Sequence, residues 1–502
     1  MFCKLNSFTL SGIDAIPIQV EIDLHDGLPS FNIVGLPDSS VKEAKERVKS
    51  AIKNSGYKFP ISHITINLSP ADIKKEGSLY DLPIALGILC CMGIIDKSLL
   101  EDKYFIGELA LDGTIRGVRS LLPILCEINN DKECIIPTAN GVQGKLLSNL
   151  NIKLAAHLND VISHIIGSSK LHSCPKYNYV PYSDTYLDFQ DVIGQESAKR
   201  GLVISAAGYH NVLLIGPPGS GKTMLSRRLP SILTPLTQAE CIEVTKVHSI
   251  SNSLPENTII TSRPFRDPHH TISPFGLTGG GINPKPGEIS LAHLGILFLD
   301  ELLEFNRHTL ELLRQPLEEH KIVLSRAHHT VSYPANFLFV ASTNPCPCGH
   351  YPNANKCTCS FVSIKKYLSK LSGPLIDRID LHLETRVPTP DSIQNINSLT
   401  SSTMKDFVNT AKEIQDKRYK DYIFKYNSQI PSSQINKFCS LNPDAESLLN
   451  DWFIQTGASM RGRDKILRIA RTIADINAQS HISTSHIAEA LQYRLLDRHP
   501  WI

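Results

Sequence analysis

Long hydrophobic runs are missing from this 502-residue chain. The longest nearly continuous one, Ile84 to Ile95 between Asp81 and Asp96, covers about twelve residues, against the roughly 20 that a membrane-crossing helix needs, so it reads as a buried helix. An excess of charge of one sign is missing too. Lys and Arg number 51 against 49 Asp and Glu, a formal net charge of +2, so any nucleic-acid contact must come from local loops rather than from a globally basic surface. Gly (29) and Pro (31) stay near average usage, which excludes collagen-like, coiled-coil and wholly disordered classes. The 12 cysteines are too sparse for a disulfide scaffold. The opening MFCKLNSFTLSGIDAIPIQV lacks a basic segment followed by an unbroken apolar stretch, so no secretory signal is visible and a soluble cytoplasmic protein is expected.

Residues 16–24 alternate apolar Ile16, Ile18, Val20, Ile22 and Leu24 with polar or proline neighbours, the period of a strand with one buried face. Further strands are expected at 31–34 and 63–68, and Val41, Ala44, Val48, Ala51 and Ile52 have the spacing of an amphipathic helix between them. An α+β domain over 1–168 follows. Residues 171–186, polar and aromatic without a period, read as interdomain linker within 169–187. From 188 a helix over 193–208, a short apolar strand over 211–215 and a glycine-rich turn opening another helix make a unit of the α/β type, here bounded at 388. Residues 389–502 read as helical, with Ile466, Ile469, Ile473 and Ile476 on one side of a helix and Lys465, Arg468 and Arg471 elsewhere on its wheel. Ser483 or Thr484 caps a last helix expected to run to Leu496.

The chemistry is concentrated in the middle of the chain. Gly216, Pro217, Pro218, Gly219, Ser220, Gly221, Lys222 and Thr223 spell GPPGSGKT directly after an apolar strand, the context that a phosphate-binding loop requires. The glycines let backbone N–H groups turn toward phosphate oxygens at a helix N-terminus, Lys222 supplies a point charge and Thr223 a hydroxyl for Mg²⁺. In GILFLDE, four apolar residues place Asp300 and Glu301 at a strand's C-terminal edge, Asp300 to hold Mg²⁺ and Glu301 to polarise the attacking water. After the strand expected at 337–342 comes Asn344, whose amide suits a lytic water or a γ-phosphate, or else simply a turn before Pro345. Arg378 and Arg461 are candidate charge clamps, with surface ion pairs as the bland alternative. Cys346, Cys348, Cys357 and Cys359 form C-x-C-x8-C-x-C, able to close a tetrahedral Zn²⁺ site or to remain four reduced thiols in a loop.

With these elements in this order, the chain resembles an AAA+ ATPase of the magnesium-chelatase-like branch, the YifB/ComM family. The likeness extends along the whole chain through GLPDSSVKEAKERV, INLSPADIKKEGSLYDLPIALGIL, FIGELALDGTIRGVRSLLP, DVIGQESAKRGL, GPPGSGKT, RPFRDPHHTIS, GILFLDE, ASTNPCPCG, LSGPLIDRIDLH and SMRGRDKILRIARTIAD. It implies a multidomain α/β protein: an N-terminal domain of Lon-protease-like (ribosomal S5 domain 2-like) fold, a central AAA+ P-loop NTPase domain and a C-terminal helical lid. It also implies ATP and Mg²⁺ as cofactors and a homo-hexameric ring with nucleotide between protomers. Arg378 then resembles the finger offered to a neighbour's nucleotide, and Arg461 the sensor arginine of the lid. Where a Lon-type protease has its serine nucleophile, this sequence has Asp81, with Ser78 nearby and no positioned base, so a docking or collar element is expected rather than a peptidase.

Two inserts are expected to face a central pore by the same likeness. Residues 263–288 are rich in Gly and Pro and include Arg266, Asp267, His269 and His270, the histidines being expected to serve packing rather than contact to a metal or DNA. Residues 321–333 read as two short strands with 325–329 at the tip, presenting Lys321, Arg326, His328 and His329; repeated around a ring, they would form a belt of positive charge for phosphates. The function expected is an ATP-driven DNA motor of helicase or branch-migration type, acting on branched or single-stranded DNA in homologous recombination and natural transformation. The alternative is a magnesium-chelatase-like or chaperone-like ATPase remodelling a protein partner.

Overall fold

A computed structural model of the chain describes all residues except 176–186, 252–257, 282–283, 326–329, 354, 388–398, 495 and 497–502. The described residues fall into two compact units, one built on Met1–Val180, Thr237–Ile260 and Ser325–Tyr333, the other on Pro181–Leu236, Thr261–Leu324 and Pro334–Ile502.

The first unit is organised on an eight-stranded mixed sheet in the order His172–Ser173, Asn151–Ala155, Glu133–Pro137, Lys103–Phe105, Phe2–Ser11, Asp14–His25, His63–Ser69, Ser30–Val34. Alternation in Asp14–His25 does what its period requires: Ile18, Val20 and Ile22 are buried between exposed or half-exposed neighbours. Helix Ser39–Asn54 starts at Asp38, whose carboxylate accepts the Val41 N–H at 2.8 Å, and buries the five apolar residues that the spacing singled out. Helix Asp81–Cys91 is buried almost all round, with Gly87 allowing close approach to Leu5 and Ile22. The edge strand His172–Ser173 shows that the stretch read as linker begins as ordered sheet; most of the rest of that stretch lies outside the described residues.

The second unit carries a five-stranded, all-parallel sheet in the order Phe265–Arg266, Ile296–Leu299, Leu338–Thr343, Val212–Ile215, Leu381–Glu384. Parallel strands covered on both faces read as unbroken apolar runs, which is why VLLI and ILFL carry no alternation. Ligands collect outside the carboxyl ends of such strands. Helix Glu196–Gly208 shares a core with the C-terminal helices Ser401–Arg418, Pro443–Thr456, Met460–Ile476 and Thr484–Gln492. Helix Thr484–Gln492 closes at Tyr493 rather than running on to Leu496, which is helical again after a break at 493–494.

Helix Met460–Ile476 departs from the simple wheel. Ile466, Ile469, Ile473 and Ile476 are buried as expected, but so are Lys465 and Arg471. Lys465 Nζ donates to the Ile379 carbonyl at 3.0 Å and pairs with Asp380 at 3.1 Å. Arg471 pairs with buried Asp475 at 3.0 Å and donates to the Ser480 carbonyl at 2.7 Å. Buried cations persist because carboxylates and orphan carbonyls satisfy them.

Candidate functional site: a phosphate loop and its acidic neighbour

Strand Val212–Ile215 delivers the chain to the glycine-rich turn, and Gly219 (φ 73°) and Gly221 (φ 88°) take the left-handed backbone that lets helix Lys222–Ile232 begin at once. The loop is held from outside. Ser220 Oγ and Thr385 Oγ1 lie 2.7 Å apart, and Gln195 Nε2 donates to the Ser220 carbonyl at 3.1 Å and also to the Arg386 carbonyl. A Cβ on Gly216 would run into Thr385, so that glycine answers a close approach.

Sheet register assembles the rest. Ile215 pairs with Thr343, which puts Asn344 beside the loop, and Asn344 Oδ1 accepts from Lys222 Nζ at 3.1 Å. The same ammonium donates to the carbonyls of Gly216 (2.7 Å) and Pro217 (2.9 Å). Burial lowers the Lys222 pKa, against the opposing pull of Asp300 and Glu301. Leu299 pairs with Ala341, which sets Asp300 against Ser342: the Ser342 hydroxyl donates to Asp300 Oδ1 while Thr223 Oγ1 donates to Oδ2 at 2.8 Å. A threonine hydroxyl and a carboxylate oxygen at that separation are hard oxygen donors suited to Mg²⁺. Glu301 adopts a left-handed backbone (φ 52°), its N–H directed to Ser342 Oγ at 3.2 Å and Asp300 Oδ1 at 3.1 Å, and it stands exposed. Strain of this kind clusters at functional positions.

Arg378 and Arg461 do not join this group. Arg378 donates to the carbonyls of Pro374 (2.6 Å) and Arg314 (3.2 Å) and to Glu318, and Arg461 lies 3.9 Å from the same Glu318. Both line a cavity of about 350 Å³ with Asp464, Lys465 and Arg468, and no phosphate-loop residue lines it. Asp380 anchors this segment: it accepts the Asn211 N–H at 3.0 Å, while Asn211 Nδ2 donates to the Arg378 carbonyl at 3.0 Å. Burial alone would raise Asp380, but Lys465 and His210 hold its carboxyl well below the usual range.

The sulfurs of Cys346, Cys348, Cys357 and Cys359 all lie within 4.8 Å of one another. Of the expected pore residues, Lys321 is exposed at the start of strand Lys321–Ser325, which pairs with Thr330–Pro334, while Arg326, His328 and His329 lie outside the described residues. The rings of His269 and His270 meet at a tilt of 34° with centroids 4.0 Å apart, Arg266 grips Glu288 at 2.6 and 2.7 Å, and Asp267 pairs with Arg227 at 2.9 Å. In the first unit, Asp81 is fully buried and held by Arg47 at 2.7 and 3.0 Å, Ser78 donates to Glu108, and Lys75 donates to the Pro70 carbonyl.

Sequence reasoning passed over Ser342, Gln195, Thr385 and Glu318. Ser342 was detectable in principle: it faces Asp300 once the two apolar strands are paired in register.

A parallel sheet with a phosphate loop after one strand, an aspartate after the next strand but one, and the strand leading to Asn344 between them defines a protein of the P-loop nucleotide-binding class. Family models described as "Magnesium chelatase, subunit ChlI", "Subunit ChlI of Mg-chelatase" and "Magnesium chelatase, subunit ChlI C-terminal" match residues 188–393, 20–140 and 398–494. The chain is 45% identical over 491 residues to "Uncharacterized protein YifB" of Salmonella typhimurium, covering 97% of this chain and 96% of that protein. It is 43% identical over 494 residues to "Competence protein ComM" of Haemophilus influenzae, with the same coverage of 97% and 96%. Likeness to the "Magnesium-chelatase 38 kDa subunit" of Cereibacter sphaeroides is 29% over 177 residues, 31% of this chain and 52% of that one. The chain belongs to the YifB/ComM family of magnesium-chelatase-like AAA+ proteins. Among the described residues no helix is long and apolar enough to cross a membrane.

Proposed function

We propose that this protein hydrolyses ATP with Mg²⁺ in a homo-hexameric ring and uses the cycle to move branched or single-stranded DNA, as a helicase or branch-migration motor in homologous recombination and natural transformation. The observation that carries the ATPase step is the convergence of Lys222, Thr223, Asp300, Ser342 and Asn344 at the ends of three adjacent parallel strands. Lys222 and the loop amides bind the β- and γ-phosphates, and Asp300 with Thr223 orients the cation. Mg²⁺, when bound, neutralises charge developing on the phosphate oxygens. Glu301 takes a proton from the attacking water, and Asn344 fixes that water or the γ-phosphate. Arg378 and Arg461 share Glu318 apart from the loop of their own chain, an arrangement suited to serving a neighbour's nucleotide, where an arginine supplied in trans stabilises transition-state charge.

The DNA step is supported by the relative named for competence and by exposed Lys321 on its ribbon, one cation per protomer that a ring would multiply. In the first unit Ser78 faces a carboxylate and Lys75 a carbonyl, which supports a docking or collar role over a serine–lysine peptidase, on a fold we read as Lon-protease-like spanning 1–168. The second reading, a magnesium-chelatase-like or chaperone-like ATPase remodelling a protein partner, would use the same phosphate loop and draws on the likeness to magnesium-chelatase subunits.

The test is ATP turnover across a protein titration, with and without forked DNA at low salt. Our reading expects turnover per chain to rise with protein concentration and with DNA. Hydrolysis indifferent to DNA, with no DNA binding, removes the motor and leaves the remodelling ATPase.

A further inference from the structure

We propose that Cys346, Cys348, Cys357 and Cys359 bind one soft divalent cation of the Zn²⁺ class, and that this ion staples the segment carrying Asn344 against the phosphate loop. The geometry is that of a single tetrahedral centre. A Zn–S bond of about 2.3 Å sets sulfurs about 3.8 Å apart at the corners of a tetrahedron. Here Cys346 and Cys357 stand 3.8 Å apart, Cys348 and Cys357 3.7 Å, and Cys346 and Cys348 3.4 Å. Disulfides would need sulfurs about 2.05 Å apart. A binuclear iron–sulfur cluster would spread its two thiolate pairs over its two metals, beyond the 4.8 Å within which all four ligand atoms fall.

The surroundings fit a structural ion. Cys346 is fully buried and the other three are packed against the same apolar core, so the site is closed rather than open to a substrate. The Tyr351 N–H is directed at Cys346 Sγ at 3.4 Å, the kind of outer contact that orients a thiolate ligand. The segment also touches the nucleotide site at two points. Asn344, two residues before Cys346, accepts from Lys222. Gly349, inside the knuckle, has φ 81° and lies so close to Pro218 of the phosphate loop that a Cβ would overlap its ring. Between the two points the chain has no regular secondary structure and is held by one turn hydrogen bond, Gly349 N–H to the Cys346 carbonyl at 2.9 Å, so metal–sulfur bonds at Cys346 and Cys348 would add the constraint that regular structure does not supply.

The metal count does not depend on the ATPase reading; the effect on hydrolysis rests on it. The full chain is purified without chelator and analysed by elemental mass spectrometry, alongside Lys222→Ala and the double variant Cys348→Ser/Cys359→Ser. Wild type and Lys222→Ala should each carry about one zinc per chain and the double variant under about a tenth. Titrating the wild type with a mercurial thiol reagent should release that zinc to a chromogenic chelator. Four free thiols with no metal after equilibration with micromolar Zn²⁺, or visible absorption and stoichiometric iron, would overturn the site.

For the staple, the metal-free double variant should bind a fluorescent ATP analogue within about threefold of wild type while hydrolysing ATP about 10–100-fold more slowly, the range for lost outer-shell positioning. Wild type stripped of metal should regain its rate with Zn²⁺, and the double variant should not. Unchanged hydrolysis in stripped wild type would overturn the positioning role, whatever the metal count.

Discussion

Ser342→Ala tests the proposed cation site through a residue that acts on it by way of Asp300. Its hydroxyl donates to Asp300 Oδ1 and accepts from the Glu301 N–H at 3.2 Å, at a fully buried position. A hydrogen bond to a charged group is worth about 1.5–3 kcal/mol, and each 1.4 kcal/mol is a factor of ten, so Asp300 should lose roughly 10–150-fold in its hold on Mg²⁺. The independent expectation for removing an outer-shell partner, about 10–100-fold, agrees. Methyl replaces hydroxymethyl in place, so the packing loss is small. The assay is ATP turnover against Mg²⁺ concentration: the half-saturating concentration should rise within that range, with most of kcat recovered at high Mg²⁺. Asp300→Asn should recover little at any concentration. A Mg²⁺ curve for Ser342→Ala that superimposes on wild type would refute the role given to Asp300.

Gly349→Ala forces a Cβ into Pro218 and a side chain into φ 81°; it should cost about 1–3 kcal/mol by urea unfolding and weaken binding of a fluorescent ATP analogue. Burial raises the Asp81 pKa to about 6, against the pull of Arg47, so the folded chain holds a proton that the unfolded chain releases between about pH 4 and 6. Stability from this group is greatest below that window and is lost as pH rises through it; Asp81→Asn should remove that limb from unfolding midpoints measured against pH. Asp380, held below the usual carboxylate range, acts in the opposite sense: its contribution is present above about pH 3.9 and lost as pH falls further. Asp380→Asn should therefore unfold earlier than wild type at pH 7, with the gap closing in acid.

Much of the candidate phosphate site was legible in the sequence because each part answers a local demand. Gly219 and Gly221 are needed for left-handed backbone, and a carboxylate placed after four buried apolar residues must emerge at a strand end. What could not be read depends on register and on partners distant in sequence. Ser342 is an unremarkable small residue until Leu299 is paired with Ala341, and Glu318 gains meaning only when Arg378 and Arg461 converge on it. A helix wheel puts Lys465 and Arg471 away from the isoleucines and is silent on their burial, which depends on Asp380, Asp475 and backbone carbonyls distant in sequence or beyond the helix. The strand over 172–173 was hidden in a polar stretch because an exposed edge strand of two residues has no period to show.

Mixing two inactive proteins decides whether each phosphate loop is completed by an arginine from the adjoining protomer. Glu301→Gln should bind ATP and assemble without turnover, and Arg378→Ala should do the same. Combined in equal amounts before assembly, the two should regain activity at about a quarter of interfaces, those pairing an intact Glu301 with an intact Arg378 across the boundary. Mixed rings that stay inactive, or an Arg378→Ala protein that hydrolyses ATP at the wild-type rate, would contradict that completion.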